Sequence, residues 1–88
     1  MLLFSRHVRK RMLERGITVD EIQAALGAST IVEDYPDETP YPSRLVLGWV
    51  ESRPLHVADD RDGERTIVVT AYEPDPARWE EGWTRRKA

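Results

Sequence analysis

The chain has 88 residues, enough for one domain with one modest core. It is 40% hydrophobic and 33% charged, which fits a globular protein, and no apolar run approaches the roughly 18 residues of a membrane helix. The absence of cysteine excludes disulfides and thiolate metal sites.

The net charge of −3 is unevenly spread. Arg6, Arg9, Lys10, Arg11 and Arg15 face a single acid, Glu14, within residues 5–16, so that segment is strongly positive on an acidic body. A positive helix of this kind suits an acidic partner chain or a phosphate backbone. The acidic total argues against tight, nonspecific nucleic-acid binding, which favours basic domains.

In chain order, Met1–Phe4 is apolar and reads as a short edge strand. It is too short for the apolar region of a signal peptide, so cytoplasmic residence with no membrane partner is the default expectation. Ser5 is a good N-cap, nothing from Arg6 to Arg15 breaks a helix, and Gly16 sits at its left-handed stop. Val8 and Met12 are four apart and face inward. His7, Arg11 and Arg15 form a second stripe beside them. Thr18 and Glu21 make a capping box for a second helix with Ile22, Ala25 and Leu26 on its apolar face, ending at Gly27. Acidic Asp20 and Glu21 at its start argue against a DNA-reading pair of helices.

Ser29–Tyr35 reads as a strand. Pro36, Pro40 and Pro42 stiffen the loop that follows, and Ser43–Glu51 reads as a second strand. The stretch Pro54–Pro74 organises the rest. Two apolar runs, Leu55–Ala58 and Ile67–Tyr72, flank the turn-forming segment Asp59–Glu64 and predict a central hairpin. An odd-length loop with a bulge at Gly63 sets His56 opposite Thr70. It places Leu55 and Val57 on one face with Ile67, Val69 and Ala71, and His56, Ala58, Val68, Thr70 and Tyr72 on the other. Glu73-Pro74-Asp75-Pro76 then breaks the strand. Ala77–Trp83 is expected to make one helical turn with Trp79 and Trp83 on one side, and residues 84–88 a flexible tail. The whole is a single α+β domain over residues 1–88: two N-terminal helices packed on a four-stranded, mainly antiparallel sheet.

Few residues suggest chemistry. His7 reads either as a general acid or base or as a surface helix histidine. His56, mid-strand among apolar neighbours, reads as a core-edge histidine or as a proton carrier. Arg11 and Arg15 are forks for a phosphate or simply a solvated face. Tyr72 is a packed ring or an orienting hydroxyl. Trp79 and Trp83 form a lid over the sheet or stack on bases. Two histidines without a third ligand are poor grounds for zinc, so no metal and no cofactor is expected. Glycine-rich phosphate loops, nucleophile elbows and metalloprotease helices are missing from the sequence.

The ordered set FSRHVRKRMLERGIT, IVEDYPDE, LVLGWVESRPLHV and IVVTAYEPDPARW, from Phe4 to about Trp79, resembles the bacterial domain-of-unknown-function family 4258. That family looks like a distant member of the RelE/ParE toxin superfamily. The resemblance implies a helical hairpin on an antiparallel sheet and a small toxin with a cognate antitoxin, often a ribonuclease that cuts RNA without metal. In such an endoribonuclease the 2′-hydroxyl attacks the adjacent phosphate, with a base, an acid and a cation on the phosphate. On this implication His7 or His56 moves protons, Tyr72 orients the phosphate, and Arg11 and Arg15 bind it. The rival is a non-enzymatic interaction module that holds an acidic partner on the basic N-terminal helix. The joint-site reading requires that helix and the His56 side of the hairpin to share one groove.

Overall fold

A computed structural model describes residues 1–88. The elements run β1 (Leu2–Phe4), α1 (Arg6–Arg15), α2 (Val19–Gly27), β2 (Thr30–Tyr35), β3 (Ser43–Val50), β4 (Arg53–Asp62) and β5 (Arg65–Tyr72). No helix is long and apolar enough to cross a membrane.

Local sequence dictates both helices. The Ser5 hydroxyl accepts from the Val8 N–H at 3.1 Å and starts α1. Gly16, at φ 67, ends it, and the Ile17 N–H returns to the Met12 carbonyl at 2.8 Å. The α2 capping box is complete, with Thr18 Oγ1 accepting from the Glu21 N–H and the Glu21 carboxylate from the Thr18 N–H.

The sheet has five strands in the order β1-β5-β4-β3-β2. Four of them are antiparallel, as expected. The fifth is β1, which runs parallel to β5 through the pairs Leu2–Thr66, Leu3–Ile67 and Phe4–Val68 and makes the sheet mixed. The edge strand read at Met1–Phe4 does form, but the count of four left it out, and its parallel pairing was not foreseen because a three-residue strand has little periodicity of its own. It forms because β5 offers an open edge.

The central hairpin also differs in detail. β4 does not stop at Ala58 but runs on through Asp59-Asp60-Arg61-Asp62, residues that disfavour strands. Cross-strand pairing overrides that preference. Asp59 lies opposite Arg44, whose Nε donates to its carboxylate at 3.0 Å, and the Arg61 guanidinium stands 3.6 Å away. The turn is therefore an even one, Gly63-Glu64, with Gly63 at φ 60. A bulge between Ala58 and Asp59 leaves Val69 unpaired and restores the odd offset farther along the strands. His56 consequently faces Tyr72, two residues on from the Thr70 expected. The faces of Ala71, Thr70 and Tyr72 are as read, but the bulge brings Val68 into the core and leaves Ile67 and Val69, both expected there, outside it.

Both helices lie on one side of the sheet. Val8, Met12, Ile17, Ile22 and Ala25 close over Val46, Leu55, Val57, Val68 and Ala71. After Tyr72 no helix forms. Trp79 instead makes an isolated bridge to Arg86, inside a strap of turns that crosses the opposite side of the sheet.

Candidate functional site

Strand alternation builds the site. Leu55 and Val57 point to the helices, so His56 between them points to the far face. Register sets Leu47 and Tyr72 on either side of His56 in one row. The next row is Glu33, Leu45, Ala58 and Thr70. A groove of about 270 Å³ runs over the second row, bounded by Tyr72 and Arg86 at one end and by Tyr35, Ser43 and Asp60 at the other. A second hollow of about 330 Å³ lies beyond Tyr72 and Arg86, against Glu73, Asp75, Arg78 and Trp79.

His56 is wholly inaccessible although it faces away from the helices. The strap covers it. Trp79 stands edge-on to the imidazole with centroids 4.4 Å apart, and Tyr72 does the same at 5.4 Å. His56 Nε2 lies 2.7 Å from the Trp83 carbonyl oxygen, which can only accept, so Nε2 carries the proton. Nδ1, 3.3 Å from the Tyr72 hydroxyl, is then the acceptor of that O–H. Burial lowers the His56 pKa below 6.5; the Trp83 bond opposes this, the Arg86 charge adds to it and Glu33 opposes it. Burial likewise raises the Tyr72 phenol above its ordinary value, which keeps it a donor. The ring is thus a neutral, fully satisfied tie between β4, β5 and the strap.

Arg86 completes the tie. Its guanidinium is bidentate to the Glu33 carboxylate, at 3.0 and 3.1 Å, and stands 4.6 Å from the Trp79 ring. The bond from Arg86 holds the Glu33 carboxyl below its ordinary pKa. Residues 84–88, read as a flexible tail, are tethered here, and the Lys87 N–H also donates to the Arg78 carbonyl at 2.9 Å.

The five residues singled out from sequence do not converge. His56 and Tyr72 are in contact. Arg15 reaches the same strand from its edge, donating to the Ala71 carbonyl at 2.9 Å and to Thr70 Oγ1 at 3.3 Å. It caps the part of β5 that β1 is too short to cover. His7 is exposed on α1, with Arg11 one turn on and 3.5 Å from Glu14. The sheet separates His7 from His56, because α1 packs on one face and His56 projects from the other. The shared groove expected between them is not formed. No group of three or more His, Asp or Glu side chains is arranged to hold a metal ion.

Glu33 and Arg86 were missed in the sequence. Nothing local marks Arg86 among Arg85, Arg86 and Lys87, and its partner lies 53 residues away. The lid reading of the tryptophans carried the only usable signal.

The architecture defines an α+β domain, a helical hairpin on one face of a mixed sheet and a strapped groove on the other. The profile described as Domain of unknown function (DUF4258) matches residues 4–73, and the chain belongs to that family. No curated protein and no solved structure matches it.

Proposed function

We propose that the chain is a binding module whose working surface is the outer face of α1. One observation carries this reading. Arg6, Arg9, Lys10 and Leu13 recur at helical spacing, all are exposed, and none of the three cations takes part in an ion pair. Elsewhere arginines are largely committed: Arg44 to Asp59, Arg53 to Glu21 and Glu73, Arg65 to Asp62, Arg85 to Glu80 and Arg86 to Glu33. A row of cations without acidic partners, of which Arg9 rests over the Phe4 ring at 5.6 Å, ending in a Leu13 side chain that is 82% exposed, suits an acidic, amphipathic helix. The test is capture of a partner from the host cell by the tagged protein. Reversal of charge in the double variant Arg9→Glu, Lys10→Glu is expected to abolish capture, with the far-UV spectrum unchanged. Equal capture by both proteins contradicts this reading.

A second reading is a RelE/ParE-like toxin that cleaves RNA without metal. The helical hairpin on a largely antiparallel sheet supports it, and so does the exposure of His7 and Arg11 one turn apart on α1. His7 would move the proton of the 2′-hydroxyl and Arg11 would hold the phosphate. An antitoxin with an acidic helix would then be the partner of α1. Purified protein incubated with RNA and a chelator tests it: cleavage is expected, and His7→Ala or Arg11→Ala is expected to abolish it without unfolding. Intact RNA with the unmodified protein removes the enzymatic reading and leaves the binding one standing.

A further inference from the structure

We propose that residues 74–88 are a releasable strap, latched across the far face of the sheet by the His56 ring and freed when that ring takes up a second proton. The strap closes on itself through two hydrogen bonds, a pairing only marginally stable once it leaves the sheet. Within it the Glu80 N–H donates to the Arg85 carbonyl at 2.8 Å and the Lys87 N–H to the Arg78 carbonyl at 2.9 Å. The matched family segment ends at residue 73, just before the turn Pro74-Asp75-Pro76. Beyond the buried Pro74 at its root, the strap's ties to the sheet are few and close together: the Trp83 carbonyl on His56 Nε2, the Trp79 ring against the same imidazole, and Arg86 on Glu33.

The latch has a built-in opponent. Trp83 holds φ 64, a left-handed conformation that bulky side chains rarely adopt. Its carbonyl is the atom bonded to His56, so release of that bond also relieves the backbone.

A second proton must go to Nδ1, where the Tyr72 O–H already points. Tyr72 must then turn and accept, and the new charge is sealed from water. Of the groups facing it the Trp83 carbonyl helps most, since a charged ring donates to it more strongly, but that gain is smaller than the cost of burial. β3 contributes only Leu47, β5 contributes Tyr72 with Arg15 at its edge, and the strap contributes Trp79 and the Arg86 cation. From β2 comes Glu33, the one nearby acid, whose two oxygens Arg86 already occupies. Lifting the strap lets the charged ring meet water. It also uncovers Leu47 and Tyr72 and joins the two hollows that Tyr72 and Arg86 now divide.

The full chain is followed by nuclear magnetic resonance, amide exchange and tryptophan emission between neutral pH and the acid limit of folding. The His56 ring is expected as the Nε2–H tautomer, protonating with a midpoint below 6.5. As the pH falls from 6.5 to that midpoint the Trp79 and Trp83 emission shifts to the red, and the opening constant at Glu80 and Lys87, which is amide exchange divided by its own fall with pH, rises about tenfold for each unit by which the native midpoint lies below the ordinary one. The Val57 and Ala71 amides stay protected. His56→Gln keeps a donor for the Trp83 carbonyl but does not titrate, and is expected to lose the transition. Three results overturn the proposal: a strap opening constant that stays flat while the ring titrates, strap and core opening together, or an unchanged transition in His56→Gln. If that variant does not fold, the coincidence of ring and strap midpoints in the unmodified protein decides.

Discussion

Gly48 of β3 lies directly beneath Ala25 of α2: a Cβ added at Gly48 would stand 2.2 Å from the Ala25 carbonyl oxygen and 2.7 Å from its Cα. No real side chain tolerates such an approach to backbone. The contact is what lets α2 seat Ile22 and Ala25, both essentially inaccessible, on the sheet. Gly48→Ala must therefore lift the helix from β3 and is expected to cost about 2–3 kcal/mol, in the range of overpacked cores. Urea unfolding measures it. A midpoint equal to that of the unmodified protein contradicts the packing described.

Arg53 is the clasp between layers. One terminal nitrogen donates to Glu21 at 2.9 Å, the other to the Gly16 carbonyl at 3.2 Å, and Nε lies against the Glu73 carboxylate without the alignment of a hydrogen bond. It thus joins the end of α1, the start of α2 and the exit of β5 to β4. Arg53→Met keeps the apolar stem and removes the fork, and is expected to lower stability by about 1–3 kcal/mol. Arg53→Lys is expected to recover little, since an ammonium cannot span these acceptors. Full recovery by lysine, measured by thermal unfolding, would reduce the clasp to a simple charge effect.

Arg15 belongs to the fold as well as to the basic segment. Its bonds to Ala71 and Thr70 satisfy the stretch of β5 that β1 leaves open. An uncapped edge is a template for another chain. Arg15→Met is expected to cost about 1 kcal/mol and to make the protein associate at high concentration, seen by light scattering. An unchanged, monodisperse variant would free Arg15 for a role in binding.

Capping chemistry is local, and so both helices were legible residue by residue from Ser5, Gly16, Thr18 and Glu21. Alternation was legible too, which is why Leu55 and Val57 were placed on one face and His56 on the other. What escaped depends on pairs far apart in the chain. The extension of β4 requires Arg44 to meet Asp59, and burial of that carboxylate raises its pKa even as Arg44 opposes the shift. The bulge at Val69 follows from reconciling that extension with a two-residue turn. The candidate site suffered most. His56 and Tyr72 could be placed on one face, but not the strap that seals them, because turns without periodicity leave no pattern to read.

Acid should destabilise the protein in two stages whose signs follow from the shifted groups. His56 is held below its ordinary 6.5 by burial, so the folded state prefers the neutral ring. Its contribution is complete above 6.5 and falls away as the pH drops from there through the native value. Glu33, held below 4.5 by Arg86, and Glu21, held below 4.5 by the Thr18 N–H, contribute stability that is present above 4.5 and lost at lower pH. Asp59 works in the opposite direction. Burial raises its pKa above 3.8, so proton uptake there favours the folded state and partly offsets the second stage. Urea midpoints measured across the acid range should therefore decline first below pH 6.5 and again below 4.5. His56→Gln is expected to flatten the first decline and Glu33→Gln to weaken the second, while Asp59→Asn removes the offset. A first decline that persists unchanged without an imidazole at position 56 would mean that the buried ring does not govern it.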